Sequence, residues 1–170
     1  MTRQLFVVVA VLALSGLSVL GQSKPSIQGV WRPVEVTITN PNPAPGTFSK
    51  GTHTNLQPAL LIFTGKHYSS VTDTASQPRP TTPFKVTGKP TAEEMQTQWG
   101  PFGANAGTFE LSGTTLTRRA MVAKNPAIQG GKNFSRGTIK LDGNNLWITV
   151  VETQAGKTEN PATIKYVRVE

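Results

Sequence analysis

The chain has 170 residues, no cysteine and a formal net charge of +8. Without thiols it can form neither a disulfide nor a thiolate metal site, and must hold together by burial and backbone pairing. Only 15% of the residues are charged, and the basic ones stand singly apart from Arg118-Arg119. That pattern reads as a solvated basic surface rather than a nucleic-acid interface, and leaves room for a weak attraction to anionic ligands or an anionic envelope surface.

Met1 to Gln4 carry one basic residue, Arg3, and lead into a nearly unbroken apolar run from Leu5 to Leu20. Small residues follow, and Val19 and Gly21 suit the recognition positions of a signal peptidase. The pattern predicts a signal peptide over residues 1–21, cleaved near Gly21, and a secreted or periplasmic domain over residues 22–170. The run is short for a membrane span of about 20 apolar residues. Ser15, Gly16 and Ser18 weaken it further, and with no cysteine after it a lipid attachment is excluded.

Strand signals then recur between turn signals. Ile27 to Thr39 is the first, and its apolar parity changes at Pro33, which predicts a bulge that returns Trp31 and the later valines to one side. Asn40 to Asn55 is a polar, Pro- and Gly-containing loop, long enough to cover a mouth. Leu56 to Thr64 and His67 to Thr74 form a hairpin around Gly65. Ala75 to Pro90 holds Pro78, Pro80, Pro83 and Pro90, which excludes regular structure there. Thr91-Ala92-Glu93-Glu94 is a capping box. It predicts a short helix to about Trp99, with Met95 and Trp99 four apart and packed on the body of the fold.

Four more strands are predicted: Gly107 to Leu111, Thr115 to Ala123, Asn133 to Leu141 and Asn145 to Thr153. Asp142-Gly143-Asn144 is a strong hairpin turn between the last two. Ala162 to Val169 closes the series. About eight strands joined mostly by short hairpins make an all-β, antiparallel up-and-down barrel with one short helix.

The chemistry-bearing residues are sparse. His53 and His67 flank turns, so a multi-histidine metal site lacks ligands, and no Ser/Asp pair supports a triad. Gly130-Gly131-Lys132 lacks the spacing and the following helix of a phosphate loop. The expectation is no cofactor, no metal and no catalytic residue. Strand parity is more informative. In Thr115 to Ala123 the apolar parity is Leu116, Ala120 and Val122, and Arg118 falls within it. An inward arginine keeps its charge and needs a carboxylate, carbonyls, water or an anionic ligand. In Asn133 to Leu141 the parity of Gly137, Ile139 and Leu141 sends Arg136 and Lys140 outward, unless Phe134 dictates the phase. In the last strand Arg168 shares parity with Ile164 and Tyr166.

Taken in order, these segments resemble the bacterial lipocalin-like domain proteins of the calycin superfamily. Gly29-Val30-Trp31 is similar to the Gly-x-Trp that opens that barrel, and Phe63 to Tyr68 to its first hairpin. Ala106-Gly107-Thr108-Phe109-Glu110-Leu111-Ser112-Gly113-Thr114-Thr115-Leu116-Thr117 resembles a later one, with Phe109 where tyrosine is usual. Asn133 to Val150 resembles the strand–Asp-Gly–strand pair, and Tyr166-Val167-Arg168 the closing segment. The resemblance implies a cup-shaped barrel plugged at one end by Trp31, with Gly29 packed beside it and Arg168 or Arg118 laid over the indole.

These readings lead to an exported, non-catalytic protein that binds a small hydrophobic or anionic amphipathic ligand. Arg118 and Tyr166 would hold a carboxylate, and Phe63, Phe109, Leu116, Leu146 and Ile148 would form the wall. Arg118 has an alternative as the partner of an acidic residue. Two other functions stay open: a filled-barrel interaction module of the envelope, and a calycin-type isomerase or cyclase using Tyr68 or Tyr166.

Overall fold

A computed structural model describes residues 26–43, 46–79 and 89–170. The leader predicted over residues 1–21 lies outside them, as does the stretch from Pro80 to Gly88 of the Pro-rich segment. The strands are β1 (Gly29–Ile38), β2 (Gly51–His53), β3 (Ala59–Thr64), β4 (His67–Asp73), β5 (Phe102–Ser112), β6 (Thr115–Ala123), β7 (Ser135–Asp142), β8 (Asn145–Thr153), β9 (Gly156–Lys157) and β10 (Thr163–Arg168). One helix, α1 (Ala92–Trp99), precedes β5.

Sequential antiparallel pairing runs from β1 through β3, β4, β5, β6, β7 and β8. The last strand closes the ring. β10 pairs β1 from Trp31↔Arg168 to Thr37↔Thr163, and pairs β8 from Thr163↔Thr149 to Val167↔Asn145. The result is a closed, up-and-down, lipocalin-like barrel of eight strands. β2 and β9 are short additions at the open end, paired with β1 and β8. Closure leaves no unpaired sheet edge in the ring, which suits a chain without disulfides.

The two ends differ because the connections differ. Hairpins at Gly65, Gly113 and Gly143 join β3 to β4, β5 to β6 and β7 to β8 at one end. At that end the inward residues are large and apolar: Trp31, Leu61, Phe63, Leu116 and Leu146 are all buried to within 1%. Longer connections surround the other end, where the inward residues of β4 are Ser70 and Thr72 and that of β5 is Asn105.

Irregularities in the ladders set which residues face in. The bulge expected at Pro33 is present between Pro33 and Glu35, so Val36 shares the inner face with Trp31 and Val34 is the extra residue. A second shift lies opposite Ala106/Gly107 and leaves Met121 unpaired. It turns Val122 outward, 61% exposed, and corrects the expectation that Val122 continues the inner parity of Leu116 and Ala120. Gly107 allows the approach, since a side chain there would run into the backbone of Arg119 to Met121.

The helix begins at Thr91 with the expected capping box, Thr91 and Glu94 bonding each other's backbone N–H. Its packing differs from expectation. Met95 and Trp99 are 43% and 45% exposed, and no residue of α1 is buried. Polar contacts hold the helix end instead: Lys124 Nζ donates to the carbonyls of Trp99 and Phe102, and Arg79 donates to that of Gln98 at 2.6 Å. Arg79 also pairs with Asp73 at 2.5 Å. Two turns of helix present too little apolar face to bury, so the sequence spacing of Met95 and Trp99 carries little force.

Strand β5 starts five residues before the expected Gly107. Phe102 to Ala106 has no apolar alternation to announce a strand, and pairing with β4 imposes it.

Candidate functional site

The plug at the closed end is assembled from both chain ends. Trp31 donates its indole N–H to the carbonyl of Ile27 at 2.7 Å. The Arg168 guanidinium lies 4.2 Å from the Trp31 ring centroid and donates to the carbonyls of Gln28 and, at 2.6 Å, Ser26. Gly29 has φ +133°, a conformation that side-chain-bearing residues rarely adopt. A Cβ there would strike the Glu170 carbonyl and the Arg168 guanidinium. Arg168, not Arg118, covers the tryptophan.

Above this floor the barrel opens into a cup of about 690 Å³. Its wall comes from alternate residues of the strands and, between strands, from residues such as Ile128, Phe134 and Ala155. Tyr68 and Ser70 stand on β4, Asn105 on β5, Arg118 on β6, Ser135 on β7 and Tyr166 on β10. The structure therefore brings Arg118 and Tyr166 together in the cup and adds Tyr68, whose ring centroid is 5.5 Å from the Arg118 guanidinium carbon. Phe63, Leu116, Leu146 and Ile148 sit lower, in the buried cluster, and Phe109 packs against them, edge-on to Phe63 at 4.9 Å. None of these five lines the cup. They fill the taper as a floor, because the hairpin end of the barrel has room for side chains alone.

The Arg118 guanidinium is the distinctive charge. Among the described residues no carboxylate lies within ion-pair distance of it, and no protein acceptor bonds it. The acidic groups are engaged or placed elsewhere: Asp73 pairs Arg79, and Glu152 pairs Arg136 on the outer face. No polar side-chain atom among the described residues is both sealed from solvent and unbonded, so the Arg118 nitrogens remain open to the cup. The alternative for Arg118, an ion pair with an acidic residue, is thus not seen among the described residues.

Burial raises the phenols of Tyr68 and Tyr166 above their ordinary range, and the nearby Arg118 charge partly offsets this. Both are neutral hydrogen-bond donors at neutral pH, set beside a permanent cation. That combination recognises oxyanions: the guanidinium supplies a fork of donors and the phenols supply single ones.

Beside the cup, at the mouth, is a second and more apolar compartment of about 390 Å³. Val36 and Ile38 of β1 form one wall, and Phe48 and Leu56 reach it from the segment between β1 and β3. β2 pins that segment to β1 through Val36↔His53, Thr37↔Thr52 and Ile38↔Gly51. Thr72, Thr74 and Ile164 line both hollows. Sequence reading missed this compartment. Its signal was the β1 parity change, which moves Val36 and Ile38 to the inside, but Phe48 and Leu56 lie in irregular chain that parity does not reach.

The remaining candidates are peripheral. His53 bonds the Ser49 carbonyl at 2.8 Å and stacks near Phe48, and His67 is exposed at a turn. Among the described residues no three His, Cys, Asp or Glu side chains cluster as metal ligands. Lys140 and Lys165 flank Trp147 on the outer face at 5.1 and 5.3 Å.

Comparison with known proteins returns no matching family model and no matching curated protein. The functional reading therefore rests on the barrel and its cup.

Proposed function

We propose that this chain is an exported, non-catalytic lipocalin-like protein that binds a small amphipathic anion in the cup of its barrel. One observation carries the reading: the Arg118 guanidinium faces a cup of about 690 Å³ without an acidic partner among the described residues. A charge held inside a barrel without compensation is costly, and an anionic occupant supplies the compensation. The cup lies within the ordinary size range of small-molecule pockets. The lipocalin-like assignment draws support from the closed eight-strand topology, the Gly29–Trp31–Arg168 plug and the order of the hairpins.

A catalytic role draws less support. Raised phenol pKa values make Tyr68 and Tyr166 poor bases near neutrality. Export rests on the apolar leader, and Edman sequencing of protein recovered from the secretory route is expected to begin just after Gly21. A first residue at Met1 would overturn that part.

Binding is tested with the fluorescent anionic amphiphile 1-anilinonaphthalene-8-sulfonate. The wild-type protein is expected to bind it saturably, and Arg118→Met to bind it at least ten-fold more weakly with an unchanged circular dichroism spectrum. Equal affinity in a folded Arg118→Met variant would sink the reading.

A further inference from the structure

Resting on that reading, we propose that the occupant is an amphiphile whose anionic headgroup itself carries hydroxyls, with its head in the cup and its short tail in the compartment beneath Phe48. The distribution of polarity between the two hollows carries this. The cup mixes the two: Ser70, Asn105, Ser135 and Thr153 line it with Arg118 and the two phenols, and Ile128, Phe134 and Ile164 supply apolar surface between them. Among the described residues, no protein group bonds the Asn105 amide, the Ser135 hydroxyl or either phenol. The mouth-side compartment is the more apolar of the two, walled by Val36, Ile38, Phe48, Leu56 and Ile164, with Asn40, Gln57, Asp73 and Asn160 also on its lining.

A plain alkyl carboxylate fits this arrangement badly. Its two oxygens engage Arg118 and one phenol, while its chain displaces water from the Ser and Asn groups and returns no hydrogen bond to them. A headgroup bearing its own hydroxyls replaces that water with donors and acceptors. The geometry also sets the order of the parts. On β10, Tyr166 lies beside Arg118 in the cup, and Ile164, two residues toward the mouth, already faces both hollows. Strand rise puts Ala162, which lines the apolar compartment, about 14 Å from Tyr166 along the chain. The charged head therefore sits deep and the tail lies near the entrance, under an arm that β2 holds in place.

The test is calorimetric titration of the full chain with four probes, the amphiphiles below their micelle-forming concentrations. They are octyl glucuronide, octyl glucoside, octanoate and glucuronate, which separate charge, hydroxyls and tail. Octyl glucuronide is expected to bind at least ten-fold tighter than each of the other three. Asn105→Ala combined with Ser135→Ala should shrink its advantage over octanoate to under three-fold. Phe48→Ser, on an exposed arm, should weaken both octyl sugars and leave glucuronate unchanged. Octanoate binding as tightly as octyl glucuronide would overturn the headgroup inference while leaving the anion reading intact. Equal binding of the glucoside and the glucuronide would overturn the role of Arg118, and the inference with it. No binding of any probe would overturn both.

Discussion

The two ends of this barrel are built from the same eight strands and do opposite things. At the hairpin end large apolar side chains are buried, among them Trp31, Leu61, Phe63, Leu116 and Leu146, and Trp31 is capped by Arg168 at 4.2 Å. At the open end Ser70, Thr72, Asn105 and Ser135 stand among apolar residues such as Ile164, and the one charged residue lining the cup, Arg118, has no acidic partner among the described residues. Both ends use an arginine. Arg168 is spent on backbone carbonyls and an indole face, whereas Arg118 keeps its donors free. Buried apolar side chains are concentrated in the floor, and unbonded polar groups in the cup.

Substitutions should divide along that line. Trp31→Ala removes the largest fully buried side chain and is expected to cost about 3–5 kcal/mol in urea unfolding, or to prevent folding. A cost below about 1 kcal/mol would show that the plug does not hold the floor. Gly29→Ala should cost about 1–3 kcal/mol, from the φ of +133° and the crowding by Glu170 and Arg168. Arg118→Met should do the reverse of both, weakening anion binding at least ten-fold while leaving the ligand-free protein as stable as the wild type or more so, since it removes a charge with no acidic partner among the described residues.

The two tyrosines give a finer probe, since the chain has no others. Ultraviolet titration should place both phenols above the ordinary value of about 10. The folded state then holds these protons more tightly than the unfolded chain. Their contribution to stability is full below the unfolded value and is lost as pH rises through the folded values. Arg118→Met should push both phenols higher still, because the guanidinium lowers them. Unmoved titrations would place Arg118 away from the phenols. The smallest effect is expected on the outer face, where Lys140→Ala removes one cation from Trp147 and should cost about 0.5–1 kcal/mol, less in high salt.

The floor was legible in the sequence for a physical reason. Large apolar residues alternating in a strand have one favourable direction, so Trp31, Phe63, Leu116, Leu146 and Ile148 announced the inside, and the parity of Arg118, Tyr166 and Arg168 followed from theirs. Depth along the barrel axis leaves no mark on parity. Phe63, Phe109, Leu116, Leu146 and Ile148 therefore read as a ligand wall when they form or pack against the floor beneath it. Bulges interrupt parity in turn. The one at Pro33 was visible because proline lacks an N–H, while that at Met121 depends on the close approach of Gly107 across the ladder. Phe48 and Leu56 were illegible because the arm carrying them owes its place to β2, three residues paired with β1.

The most direct test of the cup as the binding site is an ¹H–¹⁵N correlation spectrum of the full chain titrated with 1-anilinonaphthalene-8-sulfonate. The account predicts saturable shifts at the amides of Tyr68, Ser70, Asn105, Arg118 and Tyr166, with little change around Gly113 and Gly143 at the hairpin end. Shifts confined to the outer face around Trp147, with the cup residues still, would contradict it.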